Sequence, residues 1–272
     1  MLRTARLFAL VLLAACGDNV AQPVVDAGPG DARALGHIEL HVDGQPGKPH
    51  VLIYTFENFW RHASNLDCRG QIVKMYATRG FDITTTNDPL AINATNLKGI
   101  DVLVFAITSG DGLSAQSRDD LEAWIRAGGG VVGFHSATMT EPSWPFYNDE
   151  VTGTRFAGHV NGLFEATVKM TSSTHPITAG LPDLTFTDEW YMFTQRPETI
   201  AGATPLMTLD EDTLPPDYPA MYKQGVHTLA WAREQGPSRM FYAAWGHMPS
   251  TWYDPAILEL TGRAIEWAAH QR

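Results

Sequence analysis

The sequence predicts an α/β domain with a mainly parallel sheet and helices on both faces. Short apolar runs alternate with segments of helical hydrophobic spacing from about residue 50 onward. Several of these runs are apolar throughout, which is typical of parallel strands buried on both faces. Strand–helix–strand repetition at this spacing favours right-handed crossovers between parallel strands. No internal repeat or mid-chain linker interrupts the pattern, so we expect one domain with an elaborated C-terminal half.

The first half of the domain shows the clearest alternation. Strands are predicted at residues 50–56, 81–86, 101–108 and 130–135. The helical spacing after the first strand ends at Gly80, a residue that readily adopts the left-handed backbone of a helix end. Ser114 is a favourable N-cap for a second helix, which ends at the glycine cluster 128–130. Cys68 lies in the first helical segment, where we expect it to pack in the core.

The second half is more mixed. Residues 165–170 alternate in polarity, as in a half-exposed strand. Further strands are predicted at residues 205–209, 228–231 and 239–245. Apolar residues at helical spacing over 255–270 predict a closing helix.

The charge of the chain argues against nucleic-acid partners. Its formal net charge is −11, and no basic run occurs anywhere in it. An acidic surface offers no electrostatic attraction to DNA, RNA or anionic lipid. Hydrophobic residues make up 44% of the chain, which is enough for a well-buried core that needs no disulfide. We therefore expect a small-molecule partner, while the oligomeric state is not specified by the sequence.

The N-terminus, residues 1–16, is predicted to be a lipoprotein signal peptide. Arg3 and Arg6 form a positive region, and the apolar segment that follows is too short for a stable membrane span. Leu13-Ala14-Ala15-Cys16 resembles the bacterial lipobox, which implies cleavage before Cys16 and lipid attachment to its thiol. The implied location is the bacterial cell envelope, with the lipid anchor as the membrane contact. An ordinary secretory signal with a coincidental cysteine is the alternative.

Residues 17–48 are rich in Ala, Asp, Gly and Pro and are predicted to be a flexible tether. Within them, Ile38, Leu40 and Val42 alternate with polar residues and suit a short added strand. The folded domain is predicted to span residues 49–272. The residue after the lipidated position is Gly17. An aspartate there would favour inner-membrane retention, so outer-membrane placement is the expectation.

Four histidines share a similar context, at or near the ends of predicted strands. They are His62, His135, His159 and His247. Ligands of open parallel sheets bind beyond the carboxyl ends of the strands. His135 follows a central strand and is therefore expected at that edge. Taken alone, His135 suits a buried histidine bonded to a carbonyl equally well. The four together, with the carboxylates of Asp188 and Glu189 beside aromatic residues, favour a functional site.

These segments together resemble the ThuA-like (trehalose utilisation) family over about residues 49–270. The resemblance is carried by the His62 loop, residues 129–137, Trp144 with Tyr147, Gly153 with Phe156 and His159, and residues 175–182, 188–191, 230–231, 239–242, 246–247 and 266–268. It implies a flavodoxin-like fold similar to that of class I glutamine amidotransferases. One departure is Ala63 after His62, where a polar residue is expected, so a carboxylate partner for His62 is not anticipated there.

Glutaminase chemistry is not expected from the residues that follow the central strand. Class I amidotransferases place a cysteine nucleophile there, whereas this chain has Phe134-His135-Ser136. Ser136 also lacks the Gly-x-Ser-x-Gly elbow of a serine hydrolase.

The resemblance implies a role in carbohydrate metabolism, with disaccharides or keto-sugars as substrates. Histidine exchanges protons near neutral pH, so we assign acid–base chemistry by a lyase, hydrolase or isomerase. His135 is the expected general base, Glu189 its partner or the acid, and His247 and His159 orient the substrate, with His62 completing the catalytic set. Expected substrate contacts are Trp60, Trp144, Asp188 and Tyr191.

Two alternatives stay open. Neutral histidines with a carboxylate suit a divalent metal ion, although no His-x-x-x-His motif groups them in sequence. A non-catalytic sugar-binding module at the cell envelope is the other alternative.

Overall fold

The computed structural model describes residues 35–271. The predicted signal peptide, Cys16 and the first part of the predicted tether lie outside the described residues. Within 35–271, no helix is both long and apolar enough to span a membrane.

Twelve strands and five α-helices make up the described fold. The strands are β1 (Leu40–Val42), β2 (His50–Tyr54), β3 (Asp82–Thr86), β4 (Val102–Ala106), β5 (Gly130–Phe134), β6 (Phe156–Gly158), β7 (Phe164–Met170), β8 (Leu184–Asp188), β9 (Met192–Phe193), β10 (Ala203–Asp210), β11 (Thr228–Gln235) and β12 (Ser238–Ala243). The helices are α1 (Asn65–Val73), α2 (Met75–Arg79), α3 (Ala94–Leu97), α4 (Ala115–Arg126) and α5 (Pro255–Ala268).

Ten strands form one sheet in the order β1-β3-β2-β4-β5-β12-β11-β10-β7-β8, and β6 pairs separately with β9. The run from β3 to β12 is parallel throughout. The α/β class is confirmed, and the predicted parallel sheet is its first half. The second half is antiparallel, and β1 also pairs antiparallel with β3. Two residues join β11 to β12, and a parallel crossover needs a dozen or more.

Helices cover both faces of the parallel strands. The chain passes from β2 to β3 through α1 and α2, and then returns past β2 to β4 through α3. Because crossovers are right-handed, this reversal puts the two connections on opposite faces. α1 accordingly contacts α5, whereas α3 contacts α4. The same reversal opens a crevice at the carboxyl ends of β2 and β4, where α/β sheets bind ligands.

The local predictions for the first half are confirmed. All four strands form, β4 and β5 are buried along their whole length, and Cys68 is fully buried. The side chain of Ser114 accepts a hydrogen bond from the backbone of Ser117 and caps α4. Gly80 ends α2 in the left-handed region, with φ of 75°. Residues 40–42 of the predicted tether form β1, as the alternation there suggested.

Candidate active site

His135 lies at the bottom of the crevice, immediately after β5. Its backbone is left-handed, with φ of 50°, and its side chain is fully buried. Nδ1 lies 2.9 Å from the carbonyl oxygen of Ala244. A carbonyl only accepts, so Nδ1 carries the proton and Nε2 accepts a 2.8 Å hydrogen bond from the Tyr191 hydroxyl. His135 is therefore held as one neutral tautomer with both ring nitrogens occupied.

Glu189 lies at the centre of the histidines. Its Oε2 is 3.2 Å from His247 Nδ1, 3.5 Å from His159 Nε2 and 3.6 Å from His135 Nε2. The side chains become more exposed toward solvent, from 0% for His135 through 13% for Glu189 to 34% for His247. A ligand entering the crevice therefore meets His247 and Glu189 before it reaches His135.

The backbone around Glu189 is fixed by Asp188, which ends β8. The fully buried carboxylate accepts hydrogen bonds from the backbone N–H groups of Glu189, Gly246 and His247 and from the Thr251 hydroxyl. Burial raises the pKa of Asp188 to about 6, even though the N–H donors oppose the shift. The side chain joins the end of β8 to the loop after β12, and so brings Glu189 and His247 together.

His62 is held by a carboxylate that sequence analysis did not find. Oε1 of Glu57 accepts from both the backbone N–H and the Nδ1–H of His62, at 2.9 and 3.0 Å. Glu57 lies five residues earlier, and its strand-like bridge to Ser109 fixes the loop after β2 against the loop after β4. The His62 ring then packs edge-on against His135 and His247, with centroids 4.8 and 5.6 Å apart.

The environment shifts the pKa values of two histidines in opposite directions. Burial, reinforced by the neighbouring His62, holds the pKa of His135 well below its ordinary value. Burial also acts to lower the pKa of His247, but the adjacent Glu189 carboxylate outweighs it and leaves that pKa raised. Without a bound cation, His135 is neutral at neutral pH and the positive charge is favoured at His247.

The comparisons with known proteins fit this fold. The family model described as "Trehalose utilisation" (ThuA) matches residues 50–268. The chain belongs to the ThuA family. A putative ThuA-like protein from Bacteroides uniformis is 21% identical, with 82% of this chain and 93% of that chain covered and a TM-score of 0.68. One from Parabacteroides merdae is 17% identical, with 82% and 90% covered and a TM-score of 0.61. No curated protein matches the chain.

The aromatic residues of this ThuA domain divide into core and rim. Trp144 is buried against Phe146 and Tyr147, and Tyr191 is buried against His135, so neither presents an open ring face. Trp60 is 40% exposed, and its backbone N–H and C=O both hydrogen-bond the Ser109 hydroxyl. The structure thus brings all the predicted catalytic residues together, whereas of the predicted aromatic contacts Trp60 offers an exposed ring near His62.

His227 holds the backbone of Tyr191 in place. No sequence motif identifies His227 as part of the site. Its Nε2 donates to the backbone carbonyl of Tyr191, and its Nδ1 contacts Oε1 of Glu211, both at 2.9 Å. The fully paired His227 side chain fixes the backbone between β8 and β9 that carries Tyr191. His227 and Glu211 are 16 positions apart in the chain and meet through tertiary folding, so no local spacing could have revealed the pair.

Two groups of side chains within residues 35–271 have the composition of metal ligands. His62, His135 and His247 have ligand atoms within 4.8 Å of one another at the crevice. His41, His50 and Asp82 form the other group, at the opposite end of the parallel strands.

Proposed function

We propose that this ThuA-family protein is an enzyme that acts on a carbohydrate, a disaccharide or its keto derivative, by proton transfer at the histidine–carboxylate cluster. The observation that carries the proposal is the position of Glu189, whose carboxylate oxygen lies within 3.6 Å of three imidazole nitrogens. The cluster lies in the crevice at the carboxyl ends of the parallel strands. Membership of the trehalose utilisation family supports the carbohydrate class.

Glu189 is the residue we assign to proton transfer. Sequence analysis assigned the base to His135, but both of its ring nitrogens are hydrogen-bonded and it is fully buried. The Glu189 side chain is 13% exposed, so its carboxylate is reachable from solvent. In this assignment protonated His247 holds the carboxylate, His135 and His159 lie beside it, and Asp188 anchors the backbone beneath it.

The exposed rings near His62 supply a surface for the sugar. Phe59 and Trp60 are 55% and 40% exposed and contact each other edge-on. Aromatic faces of this kind pack against the apolar face of a sugar ring while its hydroxyls stay hydrogen-bonded. This pair also favours the second candidate function, a sugar-binding module without catalysis.

The test is kinetic. The full-length Glu189→Gln variant should lower kcat on trehalose, or on its 3-keto form, by about 10²–10⁴-fold, since that is the usual contribution of a proton-transferring group. KM should change little. Glu165→Gln, at an exposed position of β7, is the matched control and should keep wild-type kcat. Equal kcat in Glu189→Gln and wild type would refute the assignment, and sugar binding without any product would favour the binding module.

We infer a flavodoxin-like arrangement for the parallel half. Counted along the chain, its five strands lie in the order 2-1-3-4-5, which is the flavodoxin order. The antiparallel strands β11, β10, β7 and β8 extend this sheet on one side.

We also propose that the protein is exported and anchored to the cell envelope through a lipid on Cys16. The support is the sequence pattern of residues 1–16, with its positive region, short apolar segment and lipobox-like end. Cys16→Ser should move the protein from the membrane fraction to the soluble fraction of its bacterial host. Equal distribution of wild type and variant would contradict the anchor.

A further inference from the structure

Two histidines of the crevice are oriented as metal ligands usually are. His62 Nδ1 faces Glu57 and His135 Nδ1 donates to the Ala244 carbonyl. Each of these acceptors fixes the proton on Nδ1, so each Nε2 carries a lone pair. A histidine that binds a metal ion typically donates its other N–H to a carboxylate or a backbone carbonyl in this manner. Both histidines are therefore oriented in advance, with Nδ1 committed and a lone pair on Nε2, which in His135 accepts the Tyr191 hydroxyl.

The ligand atoms converge. Those of His62, His135 and His247 lie within 4.8 Å of one another. Zn–N bonds of about 2.0–2.1 Å place tetrahedral ligand nitrogens about 3.3 Å apart, so small side-chain rotations are enough to close the site. Nδ1 of His247 is buried and lies 3.2 Å from Oε2 of Glu189, a carboxylate oxygen that an ion at this position would also face.

Hydrogen-bond acceptors face one another around Glu189. Its Oε2 lies 3.6 Å from His135 Nε2 and 3.5 Å from His159 Nε2. His159 Nδ1 donates to the Val160 carbonyl at 2.8 Å, which leaves a lone pair on the nitrogen that faces the carboxylate. Converging lone pairs and a negative charge repel each other unless a positive charge lies among them, and a bound cation would supply that charge in place of the proton on His247.

We propose that His62, His135 and His247 bind a divalent transition-metal ion of the zinc class, with a fourth position open toward Glu189 and solvent. Imidazole nitrogens select such ions over Mg²⁺ and Ca²⁺, and three protein ligands with an open position are typical of catalytic zinc. Its catalytic meaning rests on the proposed function: the ion polarises an oxygen of the carbohydrate, while Glu189 transfers the proton.

Tyr191 provides a specific test of the proposed metal site. Its hydroxyl donates to His135 Nε2 at 2.8 Å, the same lone pair that the ion needs. Ion binding therefore displaces this hydrogen bond, and Tyr191→Phe removes the competitor. We expect Tyr191→Phe to bind the ion at least as tightly as wild type, which a purely structural role for the tyrosine does not predict.

The second group of possible ligands has to be removed before the test. His41 and His50 lie near Asp82 at the amino ends of β2 and β3, far from the crevice in the sheet. These partly exposed side chains can take up the probe ion at high concentration. All measurements therefore use full-length protein that carries His50→Ala, stripped with a chelator and dialysed.

The experiment is titration with Co²⁺ and with Zn²⁺, followed by calorimetry and by the visible absorption of tetrahedral Co²⁺. We expect one equivalent to bind, with affinity lowered at least about 100-fold in His62→Ala and His247→Ala. Glu57→Gln should lower it about 10–100-fold, because it removes the partner that orients His62. Glu165→Gln, an exposed residue outside the cluster, is the matched control and should keep the affinity, as should Tyr191→Phe. His135→Ala is avoided because that side chain is fully buried.

Absence of saturable binding, or equal affinity in His62→Ala and its parent, would overturn the metal site. If turnover survives in the chelated protein but is lost in Glu189→Gln, the ion has no catalytic role. The proposed function would stand in that case. Stoichiometric metal without any sugar turnover would leave the site intact and defeat the proposed function.

Discussion

At the scale of single residues, the site depends on buried polar groups that are paired with one another. Asp188 has no exposed surface, yet it accepts three backbone N–H groups and joins β8 to the loop of His247. His227 does the same for the backbone of Tyr191. Side chains of this kind fix the geometry of their neighbours because an unpaired buried acceptor costs about 1–3 kcal/mol.

The buried carboxylate of Asp188 should make stability depend on pH. Its pKa is raised to about 6 in the folded protein, against about 3.9 when unfolded. Between these values the folded state binds a proton that the unfolded state does not, so stability falls as pH rises through 6. From pH 7.5 to pH 5, wild type should gain about 1 kcal/mol of unfolding free energy relative to Asp188→Asn, measured by urea denaturation of metal-free protein. A parallel pH dependence in the two proteins would contradict this.

The histidines of the site were predictable at this scale, but their partners were not. His62, His135 and His247 all follow strands that apolar runs identify, and parallel strands end at one edge of the sheet. The contacts of Glu57, Tyr191 and His227 depend on the directions of their side chains in the folded chain. Local sequence patterns do not show these directions. The role of Trp144 was equally hidden, because an aromatic residue has the same local pattern in a core as at a sugar site.

At the scale of elements, the position of His135 depends on how closely α5 packs on β5. A Cβ atom at Gly130 would lie 2.4 Å from the backbone oxygen of Ala268, so the helix can approach the strand only over glycine. Gly129 is similarly covered by the Trp124 ring. The glycine cluster that sequence analysis treated as a helix end therefore also serves helix–sheet packing.

Gly130→Ala tests this close approach. The methyl group must push the last turn of α5 away, and overpacking of this kind typically costs about 1–3 kcal/mol of unfolding free energy. Gly70→Ala is the matched control, since a Cβ there meets nothing within 4 Å. An alanine inside a helix stabilises by about 0.5–1 kcal/mol relative to glycine. Similar unfolding midpoints for the two variants would show that α5 has more freedom than the structure indicates.

The sequence predicted some strands and helices better than others. The strands of the parallel half were identified because they are apolar along their length. The helical pattern around Leu66 to Tyr76 forms two helices separated at Lys74, a break that periodicity does not reveal. Sequence analysis missed β8, the strand that delivers Asp188, because its side chains are partly exposed and it lacks a continuous apolar run.

At the scale of the whole molecule, the two halves of the sheet build the site together. The parallel half contributes His62 and His135, whereas Glu189 follows the antiparallel strand β8 at the far edge of the sheet. Glu189 directly follows β8, and the hydrogen bonds from the loop after β12 to Asp188 hold that strand end at the site. Pairing between distant segments of this kind is not encoded in any local pattern, so convergence of the site was an expectation that only the folded chain could test.

The measurement that tests the central claim most directly is exchange of hydrogen for deuterium in a 3-keto disaccharide dissolved in D₂O. Exchange at the carbon beside the carbonyl reports proton transfer whatever the final product is. Wild type and Glu165→Gln should catalyse exchange or turnover, and Glu189→Gln should be slower by at least about 100-fold. Catalysis by Glu189→Gln at the wild-type rate, or binding of the sugar by wild type with neither exchange nor product, would contradict the account.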